Sequence, residues 1–215
     1  MNSICCVFAV GALEVSGGNR STLAHSGNVI SNNDFSDVEN RCRMYAPHLH
    51  LAGVGAEVSF NHFSKAPSSA MRLEGNDFNI VSNFVEDVVL ESDDNGGVDI
   101  YFNASYFGNR YCYNTWKNIG RPADNFLCGQ AAVRFDGNIS GQTVVGNTFI
   151  DCGEIIRVDE MFKYNDNGTA PGIFSRMAPM RDNTVIYTKS ANTVKRQKLD
   201  KRIADGFRIL DCSGK

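Results

Sequence analysis

Hydrophobic positions in this chain come in short bursts, with no run of helical length between turns. One phrase recurs: an apolar residue, two variable residues, an Asn, one more residue and another apolar residue. It reads Ile30/Asn33/Phe35, Val58/Asn61/Phe63, Ile80/Asn83/Val85, Tyr111/Asn114/Trp116 and Val144/Asn147/Phe149. A second, alternating β-rich run precedes most copies: Leu49 to Leu51, Ala70 to Leu73, Val98 to Tyr101 and Val133 to Phe135. Glycines such as Gly53, Gly55, Gly75, Gly108, Gly137 and Gly141 punctuate the gaps. Each period therefore predicts two or three short strands separated by turns.

One such period cannot bury its own apolar side chains, whereas stacked periods make a continuous core. The pattern predicts an all-β chain, a right-handed parallel β-helix of about six or seven coils. The recurring Asn has a physical task in that architecture. At a tight bend it tolerates left-handed geometry, and its amide can bond the neighbouring coil, so equivalent Asn side chains stack into a ladder. An antiparallel sandwich also spaces short strands regularly. Asn-Gly hairpin signals, however, are confined to Asn95-Gly96 and Asn167-Gly168, and the leucine-rich signature is missing.

The β-helix is expected over residues 1–188, truncated at its N-terminal end, since Val7 to Val15 reads as a strand without an upstream partner. The opening MNSICCVFAV lacks the basic residues of a secretory signal. KYNDNGTAPG, residues 163–172, is a loop by composition, and MRDNTVIY, residues 180–187, reads as one more coil. Residues 189–215 form a charged tail or capping element.

Composition narrows the partners. With 21 basic and 24 acidic residues among 215, the chain has no electrostatic footprint for nucleic acid. No apolar run is long enough for a transmembrane helix. The seven cysteines show neither C-x-x-C nor Cys/His metal spacing, so no metal site and no cofactor are expected from them.

The densest acidic cluster, Glu91, Asp93, Asp94 and Asp99, lies between two copies of the repeat. Asp94 and Asp136 each sit beside a glycine-rich turn next to a strand. Such a carboxylate pair is what glycoside hydrolysis needs, one group held protonated and one ionised. The acidic cluster could alternatively hold Ca²⁺ through its oxygens. Tyr45, Tyr101, Tyr106, Phe107, Tyr113 and Trp116 flank the cluster, and sugar rings stack on exposed aromatics. Arg134 and His62 are candidate groove residues.

The stretches SGNVISNNDF, YAPHLHLAGVGAEVSFNHFSKAP, AMRLEGNDFNIVSNFVEDVVLESDDNGGVDIY, GNRYCYNTWKNIG and AAVRFDGNISGQTVVGNTFIDCG, kept in this order, resemble right-handed parallel β-helix proteins of pectate-lyase-like fold. The resemblance is nearest to the branch containing β-helical glycoside hydrolases. It implies that Asp94 in DDNGG and Asp136 in RFDGNISG match the two acids of that branch. Relatives often carry His where this chain has Ser64, Ser68 and Phe78, and a second Asp where it has Gly137. The resemblance further implies a polysaccharide or glycan as partner and secretion; Glu91, Asp93, Asp99, Tyr101, Arg134 and His62 are the residues expected to bind that partner, and a monomer is expected. A non-catalytic glycan-binding or structural module is the alternative, and a calcium-dependent polysaccharide lyase a further one.

Overall fold

The computed structural model describes residues 2–3, 11–36, 42–120, 130–137, 139–158, 180–190, 193–194, 196–199 and 201–214. Its strands come in threes. After β1 (Asn2–Ser3) they are β2 (Leu13–Gly17), β3 (Val29–Ser31) and β4 (Asn33–Phe35), then β5 (Leu49–Val54), β6 (Glu57–Ser59) and β7 (His62–Ser64). The third set is β8 (Met71–Asn76), β9 (Asn79–Val81) and β10 (Phe84–Glu86), and the fourth β11 (Asn95–Tyr101), β12 (Arg110–Cys112) and β13 (Thr115–Lys117). There follow β14 (Gln130–Asp136), β15 (Thr143–Val145) and β16 (Thr148–Ile150), then β17 (Glu154–Val158), β18 (Met180–Arg181) and β19 (Asn183–Tyr187). A one-turn helix α1 (Lys201–Ala204) precedes β20 (Phe207–Asp211).

From β1 to β16 each strand pairs with the one three places on, and β19 pairs with β20, always in parallel, so three sheets result. Sheet I holds β2, β5, β8, β11, β14 and β17; sheet II holds β3, β6, β9, β12, β15 and β18; sheet III runs from β1 and β4 through β19 to β20. This is the architecture of a parallel β-solenoid, as the repeat predicts. The expected coil over residues 180–187 is present as β18 and β19. Sheet III continues beyond residue 188, because β20 pairs in parallel with β19. The strand expected from Val7 is described from Leu13 onward, and residues 4–10 and the 163–172 loop lie outside the described residues.

Alternation fills the interior. Sheet II sends Ile30, Val58, Ile80, Tyr111 and Val144 inward in register, while sheet III sends Phe35, Phe63, Val85, Trp116 and Phe149. Phe35 and Phe63 stack face to face at 4.6 Å. Trp116 and Phe149 stack at 6.3 Å, so planar rings extend the coil-on-coil contact.

The Asn ladder stands at the corner between sheets II and III. Backbone N–H groups of Asn33, Asn61, Asn83, Asn114 and Asn147 donate to the side-chain oxygen of the next Asn, at 2.9–3.1 Å, ending on Asn183. Each amide nitrogen from Asn61 onward reaches back to a carbonyl one coil earlier, Ile30, Val58, Ile80, Tyr111 or Val144. The left-handed residue is not the Asn itself but the one before it: Asn32, Phe60, Ser82, Tyr113, Gly146 and Asp182 all have φ near +60°. That residue turns the chain, which aims the following Asn inward where its amide replaces water for the backbone.

A second stacked column closes sheet I, where Gly53 follows Gly17 and Gly75 follows Gly53 in register. A Cβ on Gly53 would stand 1.8 Å from the Gly17 carbonyl oxygen, and φ at Gly53 is +106°. Because β2 is the outer strand of the sheet it can yield somewhat. Gly53→Ala is therefore expected to cost about 2–3 kcal/mol in chemical denaturation, and an unchanged midpoint would contradict this packing.

Candidate functional site

Alternation along sheet I sets the site. Inward residues of β5, β8, β11 and β14 are apolar, so the residues between them, His50, Arg72, Glu74, Asp99, Tyr101, Arg134 and Asp136, belong to the opposite, outer face. Parallel register lines them up. Glu14, His50, Arg72, Asp99, Arg134 and Arg157 form one column, and Tyr101 lies beside Asp136 in the next. In its middle Arg72, Asp99 and Arg134 alternate in sign, whereas Arg134 and Arg157 put like charges on neighbouring strands.

Arg134 is the hub. One guanidinium nitrogen lies 2.5 Å from an Asp94 carboxylate oxygen and 3.1 Å from Asp136. The other donates to the Asp94 carbonyl at 2.6 Å and stands 3.8 Å from Asp99. Arg134, Asp136 and Asp99 are all buried although they lie on the outer face. Asp94 takes a left-handed backbone conformation immediately before β11, and its other oxygen accepts a 2.7 Å hydrogen bond from the Tyr45 hydroxyl. That bond, aided by partial burial, pushes the Tyr45 hydroxyl up to about 12. Arg72 lies between two rings, 3.9 Å over Tyr101 and 5.6 Å from Tyr45, while Glu74 accepts from the Tyr101 hydroxyl at 3.1 Å.

Asp99 differs from its neighbours. Its Oδ1 is buried without a hydrogen-bond partner, and Arg134 stands beyond bonding distance. Burial pushes its carboxyl up to about 7; Arg134 and Arg72 oppose the rise, and the Asp136 and Asp94 charges add to it. Such a group holds a proton near neutrality, which a general acid requires.

The expected pair, Asp94 and Asp136, is thus brought together, on a shared guanidinium. Asp99, Tyr101 and Arg134 join them. Glu91 instead forms a two-pronged ion pair with Arg43 at the surface, and Asp93 accepts the Asp94 backbone N–H at 2.8 Å. Among the described residues no group of three or more His, Cys, Asp or Glu is arranged to hold a metal ion.

His62 is not brought to this cluster. It lies in sheet III, between Asp34 and Glu86 at 3.3 Å each, with its ring on Phe84. Glu74 is the member that the sequence reading passed over. Its signal is the aligned alternation of MRLEG with VDIY and VRFD, which puts it in one column with Tyr101 and Asp136.

No helix among the described residues is long and apolar enough to cross a membrane. Set against protein-family models, curated proteins and solved structures, the chain finds no match in any of the three.

Proposed function

We propose that the protein is carbohydrate-active and hydrolyses glycosidic bonds of a polysaccharide or glycan on the outer face of sheet I. The solenoid is read as the right-handed parallel β-helix of pectate-lyase-like proteins, with six or seven coils, because crossovers between parallel strands are right-handed in nearly all cases. Asp99 serves as the acid that protonates the leaving oxygen. Asp136, ion-paired with Arg134, is the carboxylate that activates water or attacks the sugar.

The observation that carries this reading is the divergence of two neighbouring carboxyl groups. Asp99 is buried with one oxygen unpartnered, whereas Asp136 shares the Arg134 guanidinium. Environments that separate two carboxyls in this way separate acid from base. Both carboxyl groups border one guanidinium, Asp99 at 3.8 Å and Asp136 at 3.1 Å, close enough together for glycosidase chemistry. Asp94, tied to Arg134 and Tyr45, becomes a positioning residue.

A second reading, a non-catalytic glycan-binding module, is favoured by one specific feature: Arg134 holds both Asp94 and Asp136, a connection that also locks the turn before β11 onto the sheet. Reducing-sugar release on a panel of polysaccharides separates the two. The hydrolase reading expects release by the unaltered chain and a loss of about 10²-fold or more in Asp99→Asn and in Asp136→Asn. Binding without release by a well-folded protein would establish the module instead.

A further inference from the structure

Four aromatic residues, Tyr45, Phe60, Phe102 and Tyr113, adopt left-handed backbone conformations with φ of 52–58°, and all four are exposed. A bulky side chain is disfavoured there, and the other left-handed positions among the described residues carry mostly Asn, Asp, Ser or glycine, with Leu23, Lys65 and Val89 the other bulky cases. These rings gain no core burial in return. Phe60 and Tyr113 stand at the corner between sheets II and III. The other two mark the two ends of β11, the strand that carries Asp99.

Tyr45 stands at the Asp94 end, bonded to that carboxylate. Phe102 follows Tyr101 at the opposite end of this seven-residue strand. The residue is 60% exposed and its ring meets Tyr101 edge-on at 5.5 Å. Its backbone N–H donates to the Asp136 carbonyl at 3.1 Å, which ties the Phe102 main chain to the residue that bears the candidate carboxylate. Gly137 in the next coil makes room for it, since a Cβ there would come within 3.1 Å of the ring.

Charge restricts what this ring meets. Among the described residues the groups paired with Arg72 and Arg134 are three carboxylates, Glu74, Asp94 and Asp136, and the proton-holding Asp99, so carboxylates outnumber these two guanidiniums by one. Both guanidiniums are engaged by those carboxyls. A polyuronate chain would meet uncompensated negative charge, whereas an uncharged sugar has an apolar face to lay on a ring.

We propose that Phe102 is the stacking platform of a saccharide subsite, and that the substrate is an uncharged glycan running along β11 past Asp99 and Asp136. This inference rests on the hydrolase reading above for the chemistry, while the binding it describes is measured separately. The test is affinity electrophoresis of the full chain through gels cast with neutral glucan, xylan or galactan and with polygalacturonate, beside reducing-sugar release. Phe102→Ala, Phe102→Trp and Asp99→Asn are run together, with thermal melts to confirm folding.

The expected result is retardation by a neutral glycan, weakened about five- to tenfold in Phe102→Ala, kept in Phe102→Trp and kept in Asp99→Asn. Release by Phe102→Ala is expected to fall through KM, with kcat within about twofold. Undiminished retardation of Phe102→Ala alongside lost release in Asp99→Asn would overturn the platform and leave the hydrolase standing. Retardation by polygalacturonate alone would overturn the uncharged substrate. A chain that neither binds nor releases any of these glycans overturns both readings.

Discussion

Asp99→Asn is expected to stabilise the protein at pH 8 by about 4 kcal/mol relative to the unaltered chain, and to leave stability at pH 4 nearly unchanged. The sign follows from the direction of the shift. Burial moves the Asp99 carboxyl from an ordinary 3.8 to about 7 in the folded chain. The folded state then binds the proton more tightly than the unfolded state, a contribution fully present below pH 4 and lost as pH rises through 7. A shift of that size corresponds to about 4 kcal/mol. Asparagine has no charge to desolvate, so the difference between the two proteins should open between pH 4 and 7 and stay level above it.

His48 titrates in the opposite sense. Burial pushes its imidazole down to about 4, and neither ring nitrogen has a hydrogen-bond partner, so stability is lost as pH falls from about 6.5 through 4. It is present in both proteins and cancels from the comparison. Urea denaturation at a series of pH values reads the effect, and a pH-independent difference would contradict it. A substitution that stabilises the fold while removing release is the trade expected where a site keeps a costly buried group for chemistry.

The ladder gives the other large effect. The Asn114 side-chain oxygen accepts from the Asn83 backbone N–H at 2.9 Å and its amide at 3.0 Å, while its own amide donates to Ile80 and Asn147. Asn114→Ala leaves the Asn83 N–H and the Ile80 carbonyl buried without these partners. At about 1–3 kcal/mol for each orphaned group, a loss of about 4 kcal/mol is expected in chemical denaturation. Coils interact chiefly with their neighbours, so a break at Asn114 should also divide one unfolding transition into two. A loss below 1 kcal/mol would show that the ladder follows the stack without holding it.

Much of this fold is legible in the sequence because its repeat is a chemical necessity at each coil. Asn33, Asn61, Asn83, Asn114 and Asn147 are recoverable from flanking apolar residues alone. Asn183, in MRDNTVIY, falls 36 residues after Asn147, where the spacing has stretched. The sequence alone points to the Asn for the left-handed bend, since Asn tolerates it. The structure gives the bend to the preceding residue, even Phe60 and Tyr113, because the corner fixes the backbone and tertiary packing overrides local preference.

The candidate site was legible in membership more than in roles. Asp94, Asp136, Arg134, Asp99 and Tyr101 were all nameable, since each lies at a turn or at an alternating position of a strand. Which carboxyl holds the proton was not, because that depends on register. Pairing Asp99 with Arg134 and Arg72 on adjacent strands buries it between coils. Asp94, the more obvious candidate beside its glycines, is drawn instead to Arg134 and Tyr45. His62 shows the converse: nearness to a strand in sequence says nothing of which of three sheets that strand joins.

The central claim is that Asp99, on the outer face of sheet I, holds its proton far above the ordinary carboxylate range, up to near neutral pH. Carbon-13 NMR titration of aspartate carboxyl groups, with Asp99→Asn identifying the resonance, measures this directly. The account predicts a resonance that titrates near pH 7 and disappears in Asp99→Asn; an Asp99 carboxyl already ionised at pH 5 would contradict it.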